Sequence, residues 1–470
     1  MLAFGCSVTH ADTSFAKVIA PIIVKNCIAC HGERTALGGY RMHTIEAMLR
    51  PGASGKLPIK TLDPTRSLVY QRMSHTNVTL RMPQGGDPLS AQDVSAVRLW
   101  ILNGASVEGM DVKGSLVKLL GSRTHAASPS AYSAPPPLSA VTFSPDSTRI
   151  ATGGYREVLI WDRVTGHLVQ RLSGLPDRIR AIVWHPDGKQ IVVAGGIPGE
   201  YGEVAVADIA SGKRNRVLAT MTDLATSVSF SPDATKVVMG CADASVACVN
   251  FSKGSILWTS KVHTDQITGV MFSSDSAFVA STGRDKVVKV YDATTGILFT
   301  TYNGHKRNNG EYRGQDPVFG ILPVPNQPDF MTVGGGKWIL RWNPEKAKSE
   351  TGDAGDMETR FFTQGHTKYT KHDLLGDVLA VALVGEIAYC AGEAGTIMRV
   401  PLSSGKPAII GQQKDWIFGL AASPDGNWLA AVGSLGTILL IDIRGTAEHK
   451  SWIAAPVSPT RGPKPRSIQK

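Results

Sequence analysis

The feature that most constrains the fold is a repeat that begins after residue 137. A turn of the type Ser-Pro-Asp, preceded and followed by strand-like apolar runs, recurs along this part of the chain. The turn segments begin at Phe143, Trp184, Phe230, Phe272 and Ala422. The third strand-like run of each repeat ends near positions 161, 207, 249, 291, 342, 400 and 441, so successive repeats are 41 to 58 residues apart. Repeats of about 40–45 residues with four short strands are typical of β-propeller blades, and the count predicts seven blades.

The repeats resemble WD repeats, and one of them keeps most of that pattern. It contains His263, Asp285 and the pair Tyr291-Asp292. The resemblance implies that the His263 side chain hydrogen-bonds the turn aspartate Asp285 and ties two strands together. The second, third and sixth repeats lack the Trp-Asp type of pair and are degenerate. The outer strand of the last repeat comes either from residues 115–120 or from residues 451–454.

A second constraining feature is the sequence Cys-Ile-Ala-Cys-His at positions 27–31. Two cysteines three positions apart, followed directly by histidine, are the attachment signature of a c-type haem. Cys27 and Cys30 would form thioether bonds to the two vinyl groups, and His31 would be the proximal iron ligand. The pattern therefore predicts one covalently bound haem c.

Two other readings of the cysteine pair are zinc binding and thiol redox chemistry. Zinc would need a second pair of ligands at suitable spacing, and a thioredoxin-like site would need a surrounding βαβ pattern. Neither accompanies this pair. The remaining cysteines are Cys6, Cys241, Cys248 and Cys390.

The region around this motif is predicted to be all-helical, with the haem at the centre of its core. Apolar residues recur at helical spacing in 13–30, and a capped amphipathic helix is expected in 90–102. A second axial ligand would come from a loop, where Met82 followed by Pro83 is the leading candidate. Other candidates are Met73, His75, His43 and Met42, and an open sixth position is the remaining alternative.

Four segments of this region resemble the planctomycete-type cytochrome c domain. They are residues 24–31, 64–72, 81–83 and 89–105. The resemblance covers roughly residues 13–106. The family pattern places a Met-Pro pair before a C-terminal helix, which implies that Met82 is the distal iron ligand.

These observations predict a multidomain protein, with an all-α cytochrome c domain followed by an all-β, seven-bladed propeller of the WD type. A linker rich in proline, alanine and serine separates the two. The expected segments are a signal-peptide remnant or disordered tail (1–12), the haem domain (13–110), the linker (111–137), the propeller (138–455) and a basic disordered tail (456–470).

Charge and hydropathy set limits on the partners. The formal net charge is +10 and the isoelectric point is about 9.2, which favours an acidic redox partner. The basic residues are scattered, so no nucleic-acid site is expected. No apolar run is long enough to span a membrane. Haem is attached to this motif outside the cytoplasm, so a periplasmic or otherwise exported protein is expected, with a truncated signal peptide.

The favoured function is electron transfer by the haem, with the propeller as a platform for a partner protein. No GxSxG, HExxH or phosphate-binding glycine loop occurs in the repeats, so no enzyme activity is expected. One alternative is a redox enzyme of the nitrite-reductase type, whose propeller would carry a second haem. Another is a haem-based redox or gas sensor, which would need a labile or vacant sixth position.

Overall fold

The computed structural model describes residues 14–33, 35–84, 87–116, 125–302, 304–308, 313–335, 339–349, 366–369 and 376–457. The predicted segment 1–12 and the tail beyond 457 lie outside the described residues. The chain is mostly β, with several sheets and few helices. It forms two compact units. The first holds residues up to 123 together with 199–201 and 220–222, and the second holds the rest.

The first unit contains short helices separated by irregular chain. The α-helices are Ala20–Asn26 (α1), Ile28–His31 (α2), Ile45–Leu49 (α3), Leu68–Met73 (α4) and Ala91–Leu102 (α5). A π-helical turn spans Phe15–Ile19, and 3-10 turns span Leu37–Gly39 and Pro64–Arg66. No helix of the described residues is long and apolar enough to cross a membrane.

Side-chain caps determine where two of these helices begin. The Thr44 hydroxyl accepts a hydrogen bond from the Ala47 amide at the start of α3, at 3.0 Å. The Ser90 hydroxyl accepts one from the Asp93 amide at the start of α5. The helix expected after Ser90 is therefore confirmed. The helical run expected in 13–30 is present as the π-helical turn, α1 and α2, with an interruption at Cys27.

The core of the first unit is apolar and brings distant parts of the sequence together. Phe15 packs on Trp100, with ring centroids 5.3 Å apart. Ile45 and Met48 of α3 and Ile101 of α5 are fully buried in the same cluster. The Trp100 indole nitrogen donates to the Ser106 carbonyl at 3.1 Å, so its polar atom is satisfied.

The second unit is built from sheets whose strands pair antiparallel, apart from one parallel bridge between Ser173 and Lys213. The first sheet has seven strands: Val141–Phe143 (β1), Arg149–Gly153 (β2), Tyr155–Asp162 (β3), Leu168–Trp184 (β4), Gln190–Ile197 (β5), Tyr201–Asp208 (β6) and Lys213–Met221 (β7). The long strand β4 pairs with β3 along its first half and with β5 along its second half. This sheet therefore consists of two four-stranded portions that share one continuous strand.

Five further sheets have four strands each. Two of them are formed by Ala225–Phe230 (β8), Lys236–Cys241 (β9), Val246–Asn250 (β10), Ile256–Ser260 (β11), Ile267–Phe272 (β12), Phe278–Gly283 (β13), Val288–Asp292 (β14) and Leu298–Tyr302 (β15). A two-stranded ribbon follows, made of Lys306–Asn308 (β16) and Arg313–Gln315 (β17).

The remaining three sheets follow in chain order. Their strands are Val318–Pro323 (β18), Phe330–Gly334 (β19), Ile339–Trp342 (β20), His366–Tyr369 (β21), Val378–Val384 (β22), Ile387–Gly392 (β23), Thr396–Pro401 (β24), Ala408–Gln412 (β25), Ile417–Ala422 (β26), Trp428–Gly433 (β27), Thr437–Asp442 (β28) and Lys450–Ile453 (β29). A short helix, Pro344–Ser349 (α6), lies between β20 and β21.

The outer strand of the last sheet is the C-terminal one of the two alternatives. Strand β29 pairs with β28, and Thr437 lies opposite Ile453. Ser115 instead forms an isolated antiparallel bridge with Thr44 in the first unit. Residues 117–120 lie outside the described part of the chain.

The Ser-Pro-Asp turns are held by their own side chains. In the first of them, the Ser144 hydroxyl donates to the Asp146 carboxylate and accepts from the Arg149 amide. The same pair of hydrogen bonds recurs at Ser231, Ser273 and Ser423. Because the motif satisfies its polar groups locally, it forms a tight turn at the end of each first strand.

The sheets pack on one another in chain order, and the first packs on the last. Phe143 and Ile150 of the first sheet share an apolar cluster with Ile438 and Leu440 of the last sheet. The strands β1, β4, β8, β12, β18, β22 and β26 all line one central cavity of about 210 Å³.

The described part of the predicted linker, 125–137, lies against the β-sheets. The Tyr132 hydroxyl donates to the fully buried Glu157 carboxylate at 2.7 Å and accepts from the Tyr155 amide at 2.9 Å. Arg171 pairs with Glu157 at 2.6 Å and also donates to the Ser130 carbonyl. This segment is therefore fixed by a buried polar network.

Candidate functional site

The first unit contains a cavity of about 410 Å³ next to the Cys-Ile-Ala-Cys-His motif. A volume of this order is typical of sites that enclose a small molecule or cofactor. Cys27, His31 and Met82 all line it. Other lining residues include Tyr40, Met42, Pro58, Leu68, Val69, Arg72 and Met73. Three of the four residues predicted to hold the haem therefore meet at one cavity.

The two cysteines and the histidine lie on a single helical turn. Cys27 is the residue at which α1 ends and α2 begins, and its carbonyl accepts from the Cys30 and His31 amides at 3.2 and 2.9 Å. Cys27 is half-buried and lines the cavity, whereas Cys30 is exposed and is not among the lining residues. The local turn thus holds both cysteines and His31 within one turn of chain.

The electrostatics of Cys27 do not suit thiol redox chemistry. Burial, followed by the neighbouring Cys30, raises the pKa of the Cys27 thiol to about 12. Reactive Cys-x-x-Cys pairs depend on a thiol whose pKa is lowered. The Cys27 thiol is therefore protonated at neutral pH, and neither Cys27 nor Cys30 forms a disulfide with another described cysteine.

His31 is oriented by a backbone carbonyl. Its Nδ1 lies 3.2 Å from the Tyr40 carbonyl oxygen, which only accepts, so Nδ1 carries the proton. The Nε2 atom then keeps its lone pair and has no hydrogen-bond partner among the described residues. Histidines that bind metals are held in this way by a hydrogen bond from the other ring nitrogen.

Tyr40, which orients His31, is itself fixed. Its hydroxyl donates to the Met48 carbonyl at 2.8 Å. Burial, and then the Cys27 side chain, raise the pKa of Tyr40 well above its ordinary value, so it stays a neutral donor. Its ring lies 5.5 Å from the His31 ring. Sequence reasoning did not identify Tyr40, because its contribution is a backbone carbonyl that any residue could supply.

Met82 is positioned by helix α4. Its amide donates to the Arg72 carbonyl at 2.9 Å, and the Arg72 guanidinium donates to the Leu80 carbonyl at 3.0 Å. These two bonds tie the loop to the helix on both sides of Arg81. The Met82 side chain is half-buried at the cavity wall.

The structure separates the competing ligand candidates into two groups. Met42 and Met73 are buried and line the same cavity as Met82. His43 lines a different pocket, beside Arg41 and Lys113. His75 accepts from the Asn77 amide through Nδ1 and is not among the lining residues. The iron-ligand alternatives that remain at the cavity are thioethers.

The donor set at this cavity fits haem c. At the cavity wall are the Cys27 thiol, an imidazole with one nitrogen held and one left for a metal, and thioether sulfurs; the second thiol, Cys30, is on the same turn as Cys27. Soft sulfur and imidazole donors are those that haem iron takes as axial ligands. The residues present therefore suit the group that the motif predicts.

In the second unit, the predicted hydrogen bond between His263 and Asp285 is confirmed. His263 Nδ1 lies 2.8 Å from the nearer Asp285 oxygen, and Nε2 lies 2.7 Å from the Ser281 hydroxyl. The Ser281 hydroxyl is 3.1 Å from the Tyr291 hydroxyl, which extends the chain to the third strand. Both ring nitrogens are therefore used to join strands.

Comparison with known families identifies both regions. The family model for the planctomycete cytochrome C matches residues 27–85. The model for the WD domain, G-beta repeat, matches residues 130–162, 254–292 and 406–442. The predicted fusion of a planctomycete-type cytochrome c domain to WD repeats is therefore confirmed.

Similarity to curated proteins lies in the WD repeats. The chain is 24% identical over 306 residues to actin-interacting protein 1 of Drosophila melanogaster, covering 62% of this chain and 47% of the relative. It is 26% identical over 305 residues to the Caenorhabditis elegans protein of the same name, covering 64% and 47%. It is 23% identical over 306 residues to the intraflagellar transport protein 122 homolog of Xenopus tropicalis, covering 58% and 24%.

The chain thus spans between a quarter and a half of the length of these relatives. The names of the relatives refer to an interacting protein and to a transport machinery.

Proposed function

We propose that this protein is an exported c-type cytochrome that carries one covalent haem for electron transfer, and whose seven-bladed propeller docks a partner. The observation that carries the proposal is the meeting of Cys27, His31 and Met82 at one cavity. The family match over residues 27–85 supports haem c as the cofactor.

Each residue at the cavity has a distinct part in this function. Cys27 and Cys30 would hold the haem through thioether bonds, and His31 would bind the iron through Nε2. The Tyr40 carbonyl keeps His31 in the required tautomer, and the Arg72 carbonyl holds the loop that carries Met82. When bound, the haem supplies a one-electron redox couple. A thioether as second ligand favours the reduced iron and raises the potential.

The sheet arrangement supports a count of seven blades. Five sheets have four strands, and the seven-stranded sheet counts as two blades that share β4. The first strand of each blade lines the central cavity, as expected for the inner strand of a propeller. Such a ring presents loops that can bind partner proteins. We propose no catalytic reaction for the propeller itself.

The charge distribution supports an acidic redox partner. The formal net charge is +10, and Lys56 and Arg72 lie among the residues that line the haem cavity. A cationic rim attracts an anionic surface and speeds the encounter. Export follows from where haem is attached to this motif, so the partner would be a periplasmic or membrane-bound protein.

The test uses carbon monoxide binding to the reduced holoprotein, which requires an exchangeable sixth ligand. In the wild type, binding should be slow or absent, because Met82 occupies that position. The Met82→Ala variant should bind carbon monoxide fully and show a lower reduction potential. Met42→Leu and Met73→Leu, at the same cavity, are the matched controls and should resemble the wild type.

Two results would contradict the proposal and favour the alternatives. Rapid carbon monoxide binding by the wild type would exclude Met82 as a stable ligand and favour a sensor. A second chromophore released from the protein by acid would indicate the nitrite-reductase type, because covalent haem c is not extracted in this way.

A further inference from the structure

The inner strands of the β-sheets share a β-bulge at the same position, near the start of each strand. The register is shifted between Ile179 and Ala181 in β4, and in the same way in five other inner strands. The residues skipped by these shifts are Arg180, Thr226, Thr268, Phe319, Leu379 and Phe418. A bulge changes the direction of the extra residue's side chain. The same backbone position therefore carries a different residue type in most of these six strands.

Four of the bulge residues line the central cavity. They are Arg180, Thr268, Phe319 and Phe418. Two hydroxyls in the lining are already engaged: Ser139 donates to the Ile179 carbonyl at 3.3 Å, and Thr268 donates to the Val318 carbonyl. These hydroxyls join neighbouring sheets and are not available to a ligand.

Arg180 differs from the other lining residues in charge and in bonding. Among the described residues that line the cavity, it alone is charged. Its guanidinium has no hydrogen bond or ion pair among the described residues. Arg178, two positions earlier on β4, carries the same sign and does not balance it. Arg180 is exposed at the cavity, so its guanidinium is accessible to an anion, and its planar geometry suits a carboxylate.

Two phenylalanines line the same cavity as Arg180. Phe418 is in β26, which is separated from β4 by β1 alone because the first sheet packs on the last, and Phe319 is in β18, farther around the cavity. The cavity volume of about 210 Å³ accommodates only a few side chains. A ligand that pairs with Arg180 and also packs on a phenylalanine ring combines a carboxylate with a neighbouring apolar group.

We propose that the mouth of the central cavity binds an acidic side chain of a partner protein, with Arg180 pairing the carboxylate and Phe319 and Phe418 packing on an adjacent apolar residue. This inference rests on the proposed function of the propeller as a docking platform. Charge complementarity selects an acidic segment over a basic or neutral one.

The experiment measures binding of a fluorescein-labelled peptide, Gly-Ser-Phe-Glu-Leu-Ser-Gly, to the full-length holoprotein by fluorescence anisotropy. The matched peptide has glutamine in place of glutamate. The glutamate peptide should bind about 10-fold more tightly or better, since charge-assisted hydrogen bonds are lost with glutamine. In Arg180→Gln the difference between the two peptides should disappear, and Arg180→Lys should keep part of it.

Arg178→Gln is the matched control, because it removes the same charge from the same strand outside the cavity. It should keep the preference for glutamate. Equal binding of the two peptides by the wild type, no binding of either, or an equal effect of the Arg178 and Arg180 substitutions would overturn the proposal. N-acetylglutamate that competes as well as the peptide would also overturn it, by indicating a free carboxylate as ligand. Unfolding of the β-sheets, followed by tryptophan fluorescence, checks that each variant is folded.

A pulldown of partner proteins from a periplasmic extract, with the wild-type protein and its variants as bait, tests the Arg180 site separately from the proposed docking function of the propeller. If Arg180→Gln retains every partner that the wild-type protein captures, the Arg180 site is wrong and the platform stands. If the wild-type protein captures none, the platform itself fails. Loss of a partner by Arg180→Gln but not by Arg178→Gln supports the proposed site.

Discussion

Two histidines, one in each unit, show how the same residue type serves binding in one place and stability in another. His263 in the β-sheets is 2% exposed and uses both ring nitrogens, with Asp285 and with Ser281. His31 uses only Nδ1, with the Tyr40 carbonyl, and it lines a cavity. A histidine with both nitrogens bonded has no capacity left for a ligand, whereas His31 keeps Nε2 for one.

The surroundings differ in the same way. The network around His263 is complete, because both of its ring nitrogens are bonded and the Ser281 hydroxyl continues the network to Tyr291. Around His31, the helices are short and the apolar core is interrupted by a cavity of about 410 Å³. Completed polar networks stabilise a fold, while a cavity with polar and sulfur donors at its wall is a site that a cofactor would fill.

The largest expected effect comes from removing both thiols. In Cys27→Ser combined with Cys30→Ser, we expect no covalent haem, because each thioether bond needs a cysteine sulfur. The measurement is the mass of the intact protein together with haem-stained denaturing gels. Unfolding of the β-sheets, followed by tryptophan fluorescence, should be unchanged.

His43→Ala is the matched control for this change, since His43 lines the other pocket of the same unit. It should keep full haem content. Covalent haem retained in the double cysteine variant would show that the attachment site lies elsewhere in the chain.

The next largest effect is expected on stability, when the buried pair of His263 and Asp285 is broken. His263→Ala should lower the free energy of unfolding of the β-sheets by about 3 kcal/mol, because the Asp285 carboxylate would stay buried without its partner. A double-mutant cycle with Asp285→Asn should show coupling in urea denaturation. The exposed His167 provides the control, and His167→Ala should change stability by less than about 0.5 kcal/mol.

The same pair predicts a dependence on pH. Burial raises the pKa of Asp285, but the hydrogen bond and charge of His263 outweigh it, so the pKa is lowered overall. A lowered carboxyl pKa adds stability above the unfolded-state value of about 4, and that stability is lost as pH falls through the folded-state pKa. The stability difference between wild type and Asp285→Asn should therefore shrink below about pH 4. A difference that is constant from pH 7 to pH 3 would contradict this account.

The smallest effect concerns Tyr132, in the segment predicted as a linker. Its hydroxyl bonds Glu157, which is fully buried, so Tyr132→Phe should cost about 1–2 kcal/mol of stability. Tyr155→Phe is the control, since the Tyr155 ring is 39% exposed and its hydroxyl bonds only the neighbouring Arg156. Equal effects of the two substitutions would mean that the Glu157 network adds nothing at this position.

The features that the sequence predicts well are local. The Cys-Ile-Ala-Cys-His turn follows from hydrogen bonds between residues three and four apart, and the Ser-Pro-Asp turns follow from side chains within five residues. The His263–Asp285 bond is longer in range, but the repeat pattern places it. In each case the partners lie within a few residues of one another or at fixed positions of the repeat, so the sequence alone predicts that they bond.

The tertiary structure decided everything that depends on distant partners. It excluded His43 and His75 from the cavity, kept three methionines at its wall, and took the outer strand of the last sheet from Lys450–Ile453. It also left Arg180 as the one charged residue among the described residues of the central cavity. These outcomes depend on which side chains meet after the chain has packed. By itself, the sequence determined the haem motif and the repeat; packing between distant segments determined which residues surround them.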